Sequence, residues 1–290
     1  MAEGIINKTM ELSDLDSAGS RDIIVELGDL IKKLRNKGLR ISSWYGRFDL
    51  MGEDTSFEVL NRGYSYEPLS LAVDDRNFPW FLLWEIVWVT MHSEFHSGQK
   101  VLDLGGSSSL FSYYLASKGL DVTTVDLQAA LVENANLVAK EMGWNLANHV
   151  MNMSEMSFTS KFDNITSICV YEHIPMYKRV SINKRIASLL AEGGRFSITF
   201  DYKNPSRFTM INTPLDVYTQ FIEPSGLSVR GNAVFVDTGE CYLLHPFYHP
   251  QTSWKNRLRE VGAGHFRPWE LFKTKTANDY TFGALFQEKR

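Results

Sequence analysis

Asp103, Gly105 and Gly106 stand together where one apolar run ends, and Asp126 follows roughly twenty positions later. Glu172 and His173 are adjacent at the end of another apolar run. Paired glycines let a backbone turn sharply and approach a ligand without a Cβ in the way, so the Gly105–Gly106 turn suits a nucleotide-like molecule. An acidic residue at the distance of Asp126 is placed to hold ribose hydroxyls. Asp103, a carboxylate near the end of an apolar strand and beside helix N-terminal amides, calls for a hydrogen-bonding or cationic partner. Histidine titrates near neutral pH and suits a general base, which makes His173 a catalytic candidate. His245 and His249 join it, because the HPFYHP stretch sets them among prolines and aromatics in a loop able to reach over a pocket. His92 and His96 have the i, i+4 spacing of metal ligands. No carboxylate or cysteine signature completes that set, and no metal is expected.

These residues require a frame. Val101, Leu102 and Leu104 make the short apolar run of a strand covered on both faces. Ser107, Ser108 and Ser109 offer hydroxyls to cap a following helix, whose Leu110, Tyr114 and Leu115 face the sheet. Asp121–Gln128 alternates as a strand, and Leu131, Ala135, Val138 and Met142 mark a helix closed by Gly143. His149–Met156 holds a third strand and its exit, and Ile182, Ile186 and Leu189 define a further helix. Alternating strands and helices predict a parallel sheet with right-handed crossovers. Upstream, Ile23, Leu27, Leu30, Ile31 and Leu34 predict an amphipathic helix over 21–37. Trp80, Trp84 and Trp88 fall on one face of a helix opened by Pro79, a stripe read as core or subunit contact. Residues 42–75, rich in aromatics, glycine and acids, read as an ordered loop. Tyr64 and Tyr66 there are candidates for a ligand pocket. A hairpin is expected around the Asp237–Gly239 turn.

The two cofactor segments resemble the class I S-adenosylmethionine-dependent methyltransferases, whose first motif runs hydrophobic, acidic, hydrophobic, Gly-x-Gly-x-Gly. Asp103 and Gly105 match it, while Ser107 and Ser109 stand where its second and third glycines are expected. FDNITSICVYEHIP (162–175) resembles the family's fourth strand and loop, AEGGRFSITFD (191–201) its fifth strand, and YTFGALFQEK (280–289) its antiparallel seventh. The resemblance implies a Rossmann-like, mostly parallel seven-stranded sheet with an antiparallel last strand. It also implies S-adenosylmethionine as cofactor, S-adenosylhomocysteine as product, and cofactor contacts at Asp103, Gly105, Gly106, Ser107, Asp126, Leu127, Met153, Ser154 and Val170. Tyr171, Glu172 and Tyr202 then join Tyr64 and Tyr66 as acceptor-side candidates. The expected division is an N-terminal helical and loop cap (1–98) and a cofactor domain (99–290) carrying a lid insertion (202–278).

With 44% hydrophobic and 22% charged residues the chain is ordinary globular material. A net charge of −4 and a pI near 6.0 argue against nucleic acid as a partner. Two cysteines imply no disulfide framework and favour a reducing cytoplasm. The N-terminus lacks a signal-peptide pattern and is expected to fray. The apolar run 79–91 is too short to span a bilayer and contains Glu85, so no membrane partner is expected. The reading is a cytoplasmic methyltransferase with a small-molecule acceptor, and a homodimer is possible. Two rivals stay open: a non-catalytic cofactor-binding regulatory subunit and a nicotinamide-dependent oxidoreductase. The second fits less well, because so long a segment precedes the glycine turn.

Overall fold

Short β-branched and apolar runs separated by amphipathic segments build one sheet with helices on both faces. The computed structural model describes residues 4–42, 80–204, 211–241, 258 and 280–290. Its strands are β1 (Lys8–Thr9), β2 (Lys100–Leu104), β3 (Asp121–Asp126), β4 (Leu146–Val150), β5 (Phe162–Ser167), β6 (Leu190–Tyr202), β7 (Ser228–Val229) and β8 (Thr281–Glu288). They lie in the order β1-β8-β6-β5-β2-β3-β4, with β7 also on β8. The pairs from β4 through β6 are parallel, and β8 runs antiparallel to β6. The antiparallel strand is as expected. Among the described residues the sheet has six longer strands, β2 to β6 and β8, where seven were expected, and two dipeptide strands, β1 and β7, share the outer edge of β8.

The principal helices are α1 (Ala18–Asn36), α2 (Trp80–His92), α3 (Leu110–Ser117), α4 (Ala129–Met142) and α5 (Met176–Leu189). One core joins α1, α2 and α3 to Phe282, Ala284 and Phe286 of β8, and a second joins Leu102, Ile165 and Phe196 to Ile182 and Ile186 of α5. Helices α1 and α2 share the first core with α3 and β8. Two members of the tryptophan stripe are core: Trp84 and Trp88 are buried and stack with centroids 5.8 Å apart. Their indole N–H groups donate to Asp14 Oδ2 at 2.9 Å and to the Ile6 carbonyl at 3.0 Å. Truncating either to alanine costs about 3–5 kcal/mol on general grounds.

One expectation fails at the edge of the sheet. The chain from residue 4 does not fray: Asn7 donates to the carbonyls of Arg230 and Asn232 and accepts from Phe286 N, and Lys8 is buried against Glu11 and Asp14. The second strand of the hairpin expected around Asp237–Gly239 lies outside the described residues; ahead of the turn, Val236 pairs with the N-terminal segment, accepting from Thr9 N and donating to Asn7 O at 2.9 Å each. Among the described residues no helix is long and apolar enough to cross a membrane.

Candidate active site

Gly105 leaves β2 at φ +78°, a conformation only glycine adopts cheaply, and its N–H donates to Val125 O at 2.8 Å. A Cβ at this position would lie 2.7 Å from Val170 Cγ1, and one on Gly106 would lie 1.7 Å from Asp103 Oδ2. The turn is thus pressed between a side chain from the β5 loop and the carboxyl beneath it. Asp103 is 1% exposed and accepts from Ser112 Oγ at 2.6 Å and Thr166 Oγ1 at 2.8 Å. Burial pushes its pKa up to about 6 against the opposing effect of those two hydroxyls. Asp103 is the floor on which the glycine turn rests.

The serines at the missing glycines hold the turn in another way. Ser107 Oγ is 2.6 Å from Thr124 Oγ1 on β3, so its hydroxyl is committed inside the protein. Ser108 takes the left-handed conformation, φ +64°, and donates to Leu131 O. Ser109 caps α3, accepting from Ser112 N at 3.0 Å.

Above this turn, at the C-terminal ends of the parallel strands, lies a cavity of about 540 Å³. Its lining includes Asp103, Gly105, Gly106, Ser107, Asp126, Leu127, Met153 and Val170, eight of the nine positions expected to contact a cofactor. Ser154 does not line it; its N–H and hydroxyl bond to Asn152 Oδ1, and Asn152 forms the wall instead, between Met151 and Met153. Asp126 Oδ1 accepts from Gln128 N at 2.9 Å. Burial raises its pKa, opposed by the amides of Gln128 and Leu127.

The same cavity also collects residues far apart in sequence: Ser42, Leu82, Ile86, His173, Lys178, Asn204 and Tyr280. No periodicity singles these out, and only His173 was expected. Its side chain is 47% exposed, with Nε2 3.9 Å from the buried Glu172 Oε1. Tyr171, Glu172 and Tyr202 sit behind the wall rather than in it. The hydroxyl of Tyr171 donates to Asn183, and that of Tyr202 reaches Asp237 at 3.3 Å. Buried Glu172 and Asp201 lie with half-buried Cys169, which lines the cavity, their polar side-chain atoms within 4.8 Å of one another. Glu85 faces the same group from α2, and burial first, then the Glu172 charge, raises its pKa well above the carboxylate range. Tyr64, Tyr66, His245 and His249 lie outside the described residues.

The sequence profile of the family described as "Methyltransferase domain" matches residues 101–194, the stretch from β2 into β6 that contains the glycine turn, Asp126 and His173. Residues 101–194 thus carry a methyltransferase domain. Among relatives of this methyltransferase, the ubiquinone biosynthesis O-methyltransferase of Xanthomonas euvesicatoria pv. vesicatoria (strain 85-10) is 26% identical over 178 residues, covering 56% of this chain and 71% of that one. The enzyme of the same name from Aeromonas salmonicida (strain A449) is 29% identical over 126 residues, covering 43% and 52%. A putative sarcosine dimethylglycine methyltransferase from Galdieria sulphuraria shares the fold at TM-score 0.50 and 14% identity, over 72% of this chain and 84% of that one. The [4+2]-cyclase SpnF does so at 0.50 and 14%, over 70% and 79%.

The methyltransferase's own residues fit its cofactor. The turn at 105–106 has no room for a Cβ, the carboxylate of Asp126 borders the cavity, and its volume is that of an ordinary small-molecule site.

Proposed function

We propose that the enzyme methylates a hydroxyl oxygen on a small, largely apolar acceptor, with His173 taking the hydroxyl proton. When bound, S-adenosylmethionine supplies an electrophilic methyl group on a sulfonium. The chain's task is to align the acceptor and keep water out. Asp126 holds ribose hydroxyls, the backbone at 105–107 and Leu127 border the nucleoside, and Met153 and Val170 supply apolar walls. Leu82 and Ile86, from before residue 99, and Asn204, from the 202–278 stretch, line the same cavity. This supports a cap assembled from both segments.

The observation that carries the reading is that His173 lines the same cavity as the glycine turn and Asp126, with the Glu172 carboxyl 3.9 Å behind its Nε2. A neutral imidazole there accepts the acceptor's proton, and the adjoining carboxyl stabilises the imidazolium that results. Hydroxyl methylation agrees with the relatives named as O-methyltransferases.

His173→Ala is expected to lower kcat roughly 10²–10⁴-fold while leaving the dissociation constant of S-adenosylhomocysteine within experimental error. The assay is radiolabelled methyl transfer to a panel of catechols, phenols, amines and thiols, with calorimetry for the product complex. Preference for an amine, or full activity in the folded variant, sinks the reading.

A further inference from the structure

His173 sits on a short turn of 3₁₀ helix, Tyr171–His173, between β5 and α5. Such a turn has few bonds of its own, yet here both carbonyls flanking His173 accept from one side chain. Arg179, on the first turn of α5 that faces back toward it, donates from Nη2 to Glu172 O and from Nε to Ile174 O, each at 2.8 Å. Its remaining arm, Nη1, donates to Gln220 Oε1 in the π-helical turn Tyr218–Ile222, and the guanidinium lies 5.5 Å from the Phe221 ring centroid. Arg179 is 1% exposed and does not border the cavity.

A buried guanidinium is expensive unless its donors are satisfied in fixed directions, and a planar fork satisfied on three sides fixes what it binds. The two peptide groups around His173 are therefore held in one orientation relative to α5. The same loop also bears on the glycine turn, since Val170 is the side chain packed where a Gly105 Cβ would stand. We infer that Arg179 is a positioning residue: by clamping the carbonyls of Glu172 and Ile174 it sets the direction of the His173 imidazole relative to the methyl-donor site. The inference rests on the proposed role of His173 for its kinetic consequence, but not for its structural one.

Lysine keeps the charge and loses the fork, so Arg179→Lys is the informative change. Asn183→Ala is the control: it removes neighbouring bonds to Tyr171 and Gln220 O while leaving both clamped carbonyls alone. The first readout is the His173 Cε1–H resonance in the full-length protein, assigned with His173→Gln and followed through a pH titration. Arg179→Lys is expected to move its midpoint by about half a unit or more, or to broaden the signal. Asn183→Ala is expected to leave it in place. The second readout is methyl transfer to 3,4-dihydroxybenzaldehyde by the wild type, Arg179→Lys, His173→Gln and the double variant. Arg179→Lys should lower kcat roughly tenfold or more at unchanged cofactor affinity, with no further loss in the His173→Gln background.

An unmoved resonance in folded Arg179→Lys overturns the inference. So does an equal shift in Asn183→Ala, or an equal rate loss in both backgrounds. If His173→Gln alone keeps full activity, the base reading fails, and the resonance still decides the clamp. Should Arg179→Lys not fold, Gln220→Leu, which frees the third arm and keeps the guanidinium, is read by the same two measurements.

Discussion

Two parts of the cavity lining are built differently. The glycine turn is backbone: a residue at φ +78° and an adjacent glycine with no space for a Cβ. Much of the remaining lining is side chains gathered from Ser42, α2, the loop after β5, α5, Asn204 and Tyr280. Backbone geometry of the first kind constrains residue type tightly and leaves a local mark. An apolar wall of the second kind accepts many residues of similar volume, and so leaves little mark.

The largest separation of the two parts is expected from Gly105→Val. The left-handed backbone and the Val170 contact together cost about 2–6 kcal/mol, and S-adenosylhomocysteine binding is lost in whatever fraction remains folded. Normal binding by calorimetry would put the cofactor elsewhere.

Asp103 gives the next effect. In the folded chain its carboxyl keeps a proton up to about pH 6, while in the unfolded chain it ionises near 3.8. The native state therefore loses stability as pH rises through that window, by about 3 kcal/mol in all. Asp103→Asn should flatten that slope in urea unfolding measured from pH 4 to 7. Parallel slopes in the two proteins would show that Asp103 ionises normally.

Asp126→Ala should weaken S-adenosylhomocysteine by about 1.5–3 kcal/mol, the range for a charge-assisted hydrogen bond, with the fold retained. An unchanged dissociation constant would remove Asp126 from the site. Smallest is Ser109→Ala, which loses a helix cap worth about 1 kcal/mol. Ser109→Gly, restoring the residue the family motif expects, should lose only a few tenths. Denaturant midpoints compare the two, and equal losses would mean that the hydroxyl's contacts to Ser112 are not what matters.

The contrast also explains what was legible in the sequence. Strand β2, the glycine turn, Asp126 and the alternation through β6 could be read because each is a local pattern with a local cause. Ser107 and Ser109 looked like departures, yet their hydroxyls bond to Thr124 and Ser112, a substitution of means that composition alone does not reveal. Tyr171 and Tyr202 were read as pocket residues because they sit at strand ends; their hydroxyls found partners inside. Ile86 and Tyr280 carried no signal, since an apolar helix position or the start of a strand looks the same whether it faces a core or a ligand. The turn at 237–239 carried a local signal, whereas the pairing of Val236 with residues 7–9, more than two hundred positions away, carried none.

That pairing has a consequence for how the chain matures. A ribosome delivers Lys8 and Thr9 more than two hundred residues before their strand partners, Ala284 and Gly283. Until then β6 has an open edge, and the apolar side chains of β8 are missing from both cores. The parallel part of the sheet can assemble as it emerges, whereas this edge must wait for a closure of very long sequence separation, the slow kind. During that interval the nascent protein presents an unpaired strand to its surroundings, and a chaperone that shields it would act on the β6 edge.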